Sequence, residues 1–236
     1  MTTIDVDRLT RRYGATTAVD ELSFAVPAGS VTGFLGRNGA GKSTTLRALL
    51  GLTRPTAGSA TFDGVPYGRL ADPARTVGAL LESDPFHPGR SGRDHLRVLA
   101  TAAGVAPGRV DEVLELVGLA DAARRAAGGY SLGMRRRLGL AAALLGDPEA
   151  LVLDEPANGL DPHGIRWLRD LLRAHAARGV AVLVSSHVLS EVALIAEQVV
   201  VIDRGRLVTS GPLGALTAGG HATLEDVFLE LTDASA

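Results

Sequence analysis

The sequence predicts an α/β fold with three parts: a parallel-sheet core, an N-terminal antiparallel β subdomain and an inserted α-helical subdomain. Residues 150–153 and 180–184 are continuously apolar, as strands buried on both faces of a parallel sheet are. Residues 30–35 predict a third short buried strand, and a glycine-rich loop follows it. Between residues 86 and 145 the apolar positions recur at helical spacing instead. A chain of 236 residues suffices for one domain with such a subdomain.

The N-terminal part alternates short strands with turn residues. Residues 4–6 and 23–26 are predicted to be strands of the antiparallel sheet, and a Pro-Ala-Gly turn follows them. Beyond the glycine-rich loop, the pattern predicts a helix at 44–50, a strand at 60–64 that ends in a turn, and a strand at 76–81.

The rest of the chain is first helical and then mixed. Helices are predicted at 94–103, 109–117 and 135–145, then a strand at 150–153, a helix at 165–178 with Pro162 in its first turn, a strand at 180–184, a helix at 190–197, a hairpin of 199–203 with 206–209, and a helix at 224–231. We therefore expect a single domain, 1–236. Residues 1–85 and 146–210 would form the core with its β subdomain, 86–145 the helical subdomain, and 211–236 a helical tail.

Composition excludes several functions. The formal net charge is −2 and the pI is 6.3, so there is no basic excess for general nucleic-acid binding. The chain has no Cys, which excludes disulfides, Cys-based zinc sites and thiol catalysis. Polar residues interrupt every apolar run before the length of a membrane span, and the polar first 12 residues carry no signal-peptide core. We expect an intracellular protein that meets a membrane only through a partner.

A phosphate-binding loop is the strongest local pattern. Of the 24 Lys and Arg residues only Lys42 is a lysine, and a compact ammonium fits a tight backbone loop better than an Arg fork does. In the G-x-x-x-x-G-K-[ST] pattern, backbone N–H groups and the following helix bind phosphate, Lys42 reaches the β- and γ-phosphates, and Ser43 ligates Mg²⁺. The predicted loop consists of Gly36, Arg37, Asn38, Gly39, Ala40, Gly41, Lys42, Ser43 and Thr44.

Two further strand ends carry chemistry. Asp154 and Glu155 follow one buried strand, and His187 follows another. In an α/β sheet, ligands bind outside the carboxyl ends of the strands, so these side chains should meet the phosphate loop at one edge. We expect Asp154 to hold Mg²⁺, Glu155 to orient or deprotonate the attacking water, and His187 to contact the γ-phosphate or that water. The other five histidines are expected to be structural.

The segment at residues 130–134 allows two interpretations. Ser131 and Gly133 stand at a predicted helix start, which can bind an anion. Taken alone, an ordinary helix cap explains them better. The arginine run at residues 135–137 is expected to lie on a solvated face.

These motifs, with Gly159-Leu160-Asp161-Pro162, occur in an order and spacing that resemble the ATP-binding subunit of an ABC transporter over nearly the whole chain. The resemblance implies a P-loop NTPase core, ATP and Mg²⁺ as cofactors, and two subunits, identical or paralogous, that enclose two ATP molecules head to tail beside a transmembrane permease on the cytoplasmic face of the membrane. It also implies further site residues. Tyr13 would stack on adenine with Val19 nearby, and Glu82 would occupy the metal-sensing Q-loop position. The signature, which binds the other subunit's ATP, would include Ser131, Leu132 and Gly133, and the D-loop would include Leu160 and Asp161.

Three departures from the family pattern stand out. The signature reads Tyr-Ser-Leu-Gly-Met, position 82 is Glu instead of the commoner Gln, and Arg37 replaces a common Pro. These variants, with the chain length and the sequence at residues 227–232, are similar to subunits of the ABC-2 exporter type, many of which serve antibiotic, drug or lipid export. The permease is expected near residues 81–88, where Leu81, Pro85, Phe86 and Pro88 either form a docking groove or pack the subdomain.

Two other functions fit the sequence less well. An ABC ATPase that acts on nucleic acid or ribosomes would carry coiled-coil or zinc insertions or a second ATP domain, and this chain has one ATP domain and no Cys. A small-molecule kinase or GTPase would leave residues 130–134 and 159–162 unexplained, and the chain has no guanine-specifying Asn-Lys-x-Asp element.

Overall fold

The computed structural model describes residues 1–81, 86–217 and 223–233. Its strands are β1 Ile4–Tyr13, β2 Thr16–Val26, β3 Val31–Leu35, β4 Ala57–Phe62, β5 Val77–Leu80, β6 Ala150–Asp154, β7 Ala181–Ser186, β8 Gln198–Asp203 and β9 Arg206–Pro212. Its helices are α1 Lys42–Leu49, α2 Pro73–Thr76, α3 Gly92–Ala102, α4 Arg109–Leu116, α5 Leu132–Ala143, α6 Pro162–Ala177, α7 Leu189–Ile195, α8 Leu213–Thr217 and α9 Leu224–Asp233.

A six-stranded sheet forms the core, with the order β5-β6-β7-β3-β8-β9. The first five strands are parallel and β9 returns antiparallel to β8. Every residue of β3, β6 and β7 is buried, which explains why these strands are mainly apolar; the polar residues of β6 and β7 stand at their carboxyl ends. Leu35 pairs with Ser186, and Asp154 pairs with Ser185, so the carboxyl ends of three adjacent strands lie side by side.

The antiparallel β subdomain is a second sheet with the order β2-β1-β4. Its strands are longer than the sequence pattern suggested, because polar residues continue the ladder of β1 to Tyr13, which pairs with Thr16 across the hairpin. The inner face of this sheet shares one apolar cluster with α1 and one face of the six-stranded sheet, and Phe24 packs 5.2 Å from Phe34, ring centre to ring centre. The predicted antiparallel sheet is confirmed.

Helices α3, α4 and α5 pack against one another, and Leu96, Leu114 and Leu138 meet in the core between them. The prediction of a solvated arginine run on α5 was wrong. Arg136 is only 5% exposed, and Arg137 donates to Val117 O at 2.9 Å while its guanidinium lies 4.2 Å above the Trp167 ring. Long arginine stems pack along apolar surface while their polar heads find acceptors, so a charge run need not face solvent.

Several helices begin earlier than predicted, because a side chain caps each of them. Ser91, Ser131 and Asp161 cap α3, α5 and α6, so these helices begin two or three residues before the predicted 94, 135 and 165. The short helix α2 was not predicted, whereas α8 and α9 lie within the predicted helical tail. The α/β architecture is confirmed, while the division at residues 85, 146 and 210 stays a prediction. Among the described residues, no helix is both long and apolar enough to cross a membrane.

Candidate functional site

The phosphate loop connects β3 to α1, as predicted. Gly41 precedes the helix with a φ of 106°, and a β-carbon at this position would lie 2.6 Å from Ala18 O, so the backbone requires glycine on both counts. Among the described residues, no side chain caps α1 and no acidic residue stands in its first turn. The positive end of α1 is therefore left for a ligand.

Lys42 is buried inside this loop, with 7% of its surface exposed. Its Nζ donates to Gly36 O at 2.6 Å and lies 3.4 Å from Arg37 O. These bonds hold the ammonium across the loop, and Ser43 and Thr44 follow in the first turn of the helix. The arrangement concentrates positive charge where the helix dipole is also positive.

The two acidic residues at the end of β6 have different environments. Asp154 is 2% exposed, and its Oδ1 accepts a hydrogen bond from Ser185 Oγ. Glu155 adopts the left-handed conformation at φ 50°, which costs a non-glycine residue about 1–2 kcal/mol. Its N–H donates to both Ser185 O at 3.2 Å and Ser185 Oγ at 3.1 Å, so β7 holds the strained turn in place. Strain fixed in this way is typical of functional sites.

The turn directs Glu155 toward His187. Glu155 Oε2 and His187 Nδ1 are 2.9 Å apart, and the histidine side chain is 47% exposed while the glutamate side chain is 12% exposed. Burial raises the pKa of the nearby Glu191, and the negative charge of Glu155 raises it further, whereas His187 lowers it. Glu191 is thus an acidic neighbour of this pair, and sequence reasoning did not single it out.

These segments enclose one cavity of about 440 Å³. Its lining consists of Ala18, Asn38, Gly39, Gly41, Lys42, Ser43, Thr44, Asp154, Glu155, Asn158 and His187. The predicted meeting of three strand ends is therefore observed. Ala18 and Asn158 were missed, although each adjoins a motif residue, Val19 or Gly159.

Other predicted site residues lie outside this lining. Gly36 is buried against Ile202, Ala40 is buried in the loop, and Arg37 is exposed at its tip. Val19 is buried, with its Cγ2 3.4 Å from the position of a β-carbon at Gly41. Tyr13 lies at the β1–β2 hairpin end with 46% of its surface exposed. Glu82 lies outside the described residues.

The segment that begins α5 lies apart from the cavity. Ser131 Oγ accepts from Met134 N–H at 3.2 Å, which is an ordinary helix cap, and Leu132 is 48% exposed. Gly133 lies against the Gly159 turn, where a β-carbon would be 3.0 Å from Gly159 O. Asp161 caps α6 by accepting from Gly164 N–H at 2.7 Å. Both predicted dimer motifs thus touch each other near the surface.

The chemistry of the site suits a hard cation such as Mg²⁺. The Ser43 hydroxyl and the buried Asp154 carboxylate line the same cavity, and Mg²⁺ binds oxygen ligands. Among the described residues, no group of three or more His, Asp or Glu side chains is placed to hold a metal. Two protein oxygens fit an ion that takes its remaining ligands from phosphates and water.

A larger, mainly apolar groove of about 1040 Å³ lies between α3 and α5 on one side and the α2–β5 segment on the other. Phe86 and His95 meet edge to face in it, with ring centres 4.9 Å apart, and burial lowers the pKa of His95. Leu81 and Phe86 of the predicted docking segment line this groove, Pro88 does not, and Pro85 lies outside the described residues. The groove also includes Leu80, Leu99 and Ala142.

Sequence comparison agrees with this site. The ABC transporter family matches residues 19–158. The bacitracin transport ATP-binding protein BcrA of Bacillus licheniformis is 40% identical over 227 residues, which are 95% of this chain and 74% of that protein. The lantibiotic transport ATP-binding protein SrtF of Streptococcus pyogenes is 36% identical over 225 residues, 95% of each chain.

Solved structures agree on the fold. One described as the ATP-binding subunit of an ABC transporter superposes with a TM-score of 0.88 at 26% identity, covering 97% of this chain and 99% of that one. The dimeric cassette MJ0796 superposes with a TM-score of 0.80 at 20% identity, covering 89% and 98%. The chain therefore belongs to the ABC transporter family, as an ATP-binding subunit that hydrolyses ATP to drive transport.

Proposed function

We propose that this subunit powers an exporter of the ABC-2 type and that its cargo is an antibiotic, a drug or a lipid-like compound. The observation that carries the ATPase site is the single cavity in which Lys42, Asp154, Glu155 and His187 meet. The cargo class is proposed from the relatives: those named above are bacitracin and lantibiotic transport ATP-binding proteins, and another, of Burkholderia lata, is a Nod factor export ATP-binding protein with 40% identity.

The charged and polar residues predicted from the sequence have these proposed roles. The Gly36–Thr44 loop and Lys42 bind the β- and γ-phosphates, and Ser43 with Asp154 holds Mg²⁺, with Glu82 as a further candidate ligand. The cation supplies charge neutralisation on the phosphates. Glu155 orients or deprotonates the attacking water, and the 2.9 Å contact with His187 holds its carboxylate in place.

The second half of each site comes, in this proposal, from another subunit. Ser131 and Gly133 stand at an exposed helix start outside the cavity, so they serve a nucleotide that a second chain binds. Leu160 and Asp161 would lie across the same interface. A symmetric pair satisfies both sites at once, whether the second chain is a copy or a paralogue.

We propose that the permease binds in the apolar groove between α3 and the α2–β5 segment, and that the subunit lies on the cytoplasmic side of the membrane. A groove of about 1040 Å³ that is lined by Leu80, Phe86 and Leu99 suits an amphipathic helical segment of a partner. Leu81 and Phe86, which flank Glu82 in the sequence on either side, both line the groove.

The test is recovery of tagged Glu155→Gln protein from solubilised membranes of its source, with and without MgATP. We expect a stoichiometric polytopic membrane protein in the eluate. Leu99→Glu should abolish its recovery, because Leu99 lines the groove, whereas Val98→Glu should not, because Val98 is 49% exposed and is not part of the groove lining.

Recovery of ribosomes or nucleic acid instead of a membrane protein would agree with the ATPase activity but would contradict the proposed export function. Equal recovery of the membrane protein by Leu99→Glu and Val98→Glu would agree with the exporter but would contradict binding of the permease in the groove. The cargo is then tested by screening export through the recovered permease, and transport of an unrelated solute would contradict the proposed class.

A further inference from the structure

The end of the β1–β2 hairpin holds an aromatic ring that is fixed on one side and open on the other. The guanidinium carbon of Arg11 lies 4.3 Å from the centre of the Tyr13 ring. Arg11 and Tyr13 are two residues apart on β1, so both side chains project from the same face of the strand. Tyr13 nevertheless keeps 46% of its surface exposed. Because the guanidinium occupies one face, a ligand that stacks on the ring must use the other face.

The loop after α1 holds both side chains. Arg11 donates from a terminal guanidinium nitrogen to Arg54 O at 2.8 Å, and the Tyr13 hydroxyl lies 3.4 Å from Thr53 Oγ1. These contacts lower the pKa of Tyr13, the Thr53 hydrogen bond most strongly and Arg11 next. Arginine is common in this chain, so its presence here says little by itself. The geometry is informative, since a planar fork can stack on a ring and donate to a carbonyl at once.

The position of the ring suits a nucleotide base. Tyr13 pairs with Thr16, and Ala18, which lines the phosphate cavity, lies two residues farther along β2, roughly 7 Å at the usual rise of a strand. A base is separated from the phosphates by the ribose, so the open ring face stands at a suitable separation from the cavity. A purine offers more stacking area to this face than a pyrimidine does.

We propose that Arg11 is a positioning residue for the purine base: its guanidinium holds one face of Tyr13 so that the opposite face is presented, already oriented, for stacking. This inference rests on the proposed role of Tyr13 as the adenine contact. A ring that is fixed beforehand loses little freedom when the base binds, so the contact strengthens binding of the base and leaves binding of the phosphates unchanged.

The alternative is that Arg11 only closes the hairpin. In that case its removal lowers thermal stability and affects all ligands alike. The two cases are separated by measuring the affinities of MgATP and of magnesium tripolyphosphate, which carries phosphates but no base. Arg12→Ala is the matched control, because Arg12 is the next residue of β1, projects from the opposite face and carries the same charge.

For Arg11→Ala we expect affinity for MgATP to fall about three-fold to ten-fold, while affinity for tripolyphosphate stays within about two-fold. Arg12→Ala should change neither. In a Tyr13→Ala background, Arg11→Ala should add less than about two-fold, because the ring through which it acts is absent. A wild-type preference for MgATP over MgCTP should shrink in Arg11→Ala.

Equal losses for both ligands, no loss for either, or a full effect of Arg11→Ala in the Tyr13→Ala background would overturn the inference. If Arg11→Ala does not fold, Arg11→Lys decides, since it keeps the charge but loses the fork; we expect a two-fold to five-fold loss for MgATP alone. Wild-type protein that binds neither ligand contradicts the proposed function as well, whereas wild-type protein that binds both with no effect of Arg11 contradicts only this inference.

Discussion

Helices α1 and α5 each begin at a glycine-containing segment with a predicted role in binding phosphate. The N–H groups of their first turns differ in side-chain capping. Gly41 precedes α1 in a left-handed conformation, and the start of α1 lines the phosphate cavity with Lys42 beside it. At α5, Ser131 caps the helix with its own side chain, and the segment is exposed and outside that cavity. The first helix has no side-chain cap at its positive end, whereas in the second one free N–H group, that of Met134, is bonded to Ser131 Oγ.

The α1 start belongs to a site that one chain forms by itself, whereas the α5 start belongs to a surface that can act only on a second molecule. The α1 site gathers side chains from three strand ends, so a single chain can bind phosphate there. The α5 start has a capped backbone and an exposed Leu132, so whatever it binds must come from outside. The two helix starts can be disrupted separately, and disruption of the α1 site should have the larger effect.

Replacement of Lys42 by Ala should abolish the α1 site. We expect affinity for MgATP to fall at least about a hundred-fold, because the loop loses its buried ammonium and the charge-assisted bonds it makes to phosphate. Calorimetry and phosphate release measure the effect. Arg47→Ala removes a cation from the last turn of the same helix and should leave both nearly unchanged. Full ATPase activity of Lys42→Ala would contradict the site.

Replacement of Glu155 by Gln should separate binding from chemistry within the α1 site. We expect turnover to fall about 10²- to 10⁴-fold, the usual contribution of a general base, while MgATP still binds. The trapped protein should accumulate as a dimer, which light scattering detects. Glu115→Gln, on the exposed face of α4, is the control. A monomer at saturating MgATP would count against the two-chain site.

Replacement of Ser131 by Ala should test the α5 start. It removes the cap to Met134 and should cost about 1 kcal/mol of stability, as Ser91→Ala should at α3. Only the Ser131 variant should also lower turnover, by about ten-fold on loss of one phosphate contact. Ser131→Asp keeps a good cap but should lower turnover further, because its charge repels phosphate. Equal turnover in all three variants would leave Ser131 as a cap alone.

The smallest expected effect concerns stability remote from both helix starts. His175 is 4% exposed at the far end of α6, and burial lowers its pKa below the ordinary value near 6.5. The unfolded chain therefore binds a proton at this histidine more readily than the folded chain does. The contribution of His175 to the free energy of unfolding is complete above about pH 6.5 and is lost as the pH falls. The loss cannot exceed about 1.4 kcal/mol per pH unit.

His175→Leu should reduce this dependence, as measured by urea unfolding between pH 7.5 and 5. The exposed His163 of the same helix provides the control, since His163→Leu should leave the slope unchanged. A steeper slope in His175→Leu would mean that the sign of this contribution is wrong. Neither change should alter MgATP binding at α1.

Local sequence determined the chemistry of the α1 site. Each of Lys42, Ser43, Asp154, Glu155 and His187 lies at or just after the carboxyl end of a strand, and the carboxyl ends of adjacent parallel strands meet at one sheet edge. The order of strand, loop and helix could therefore be predicted, and so could the meeting of three segments. The presence of helices α3, α4 and α5 and of the antiparallel sheet was predictable for the same reason, since periodicity records which face is buried.

Contacts between segments distant in sequence were decided by the tertiary structure alone. Arg136 was expected in solvent and is buried, Glu155 is held in a left-handed turn by Ser185, and Arg11 stacks on Tyr13 beneath a loop more than forty residues away. Periodicity identifies a buried face but not the atoms that cover it. Those atoms depend on how elements pack, and packing is set by shape and hydrogen-bond satisfaction over the whole domain.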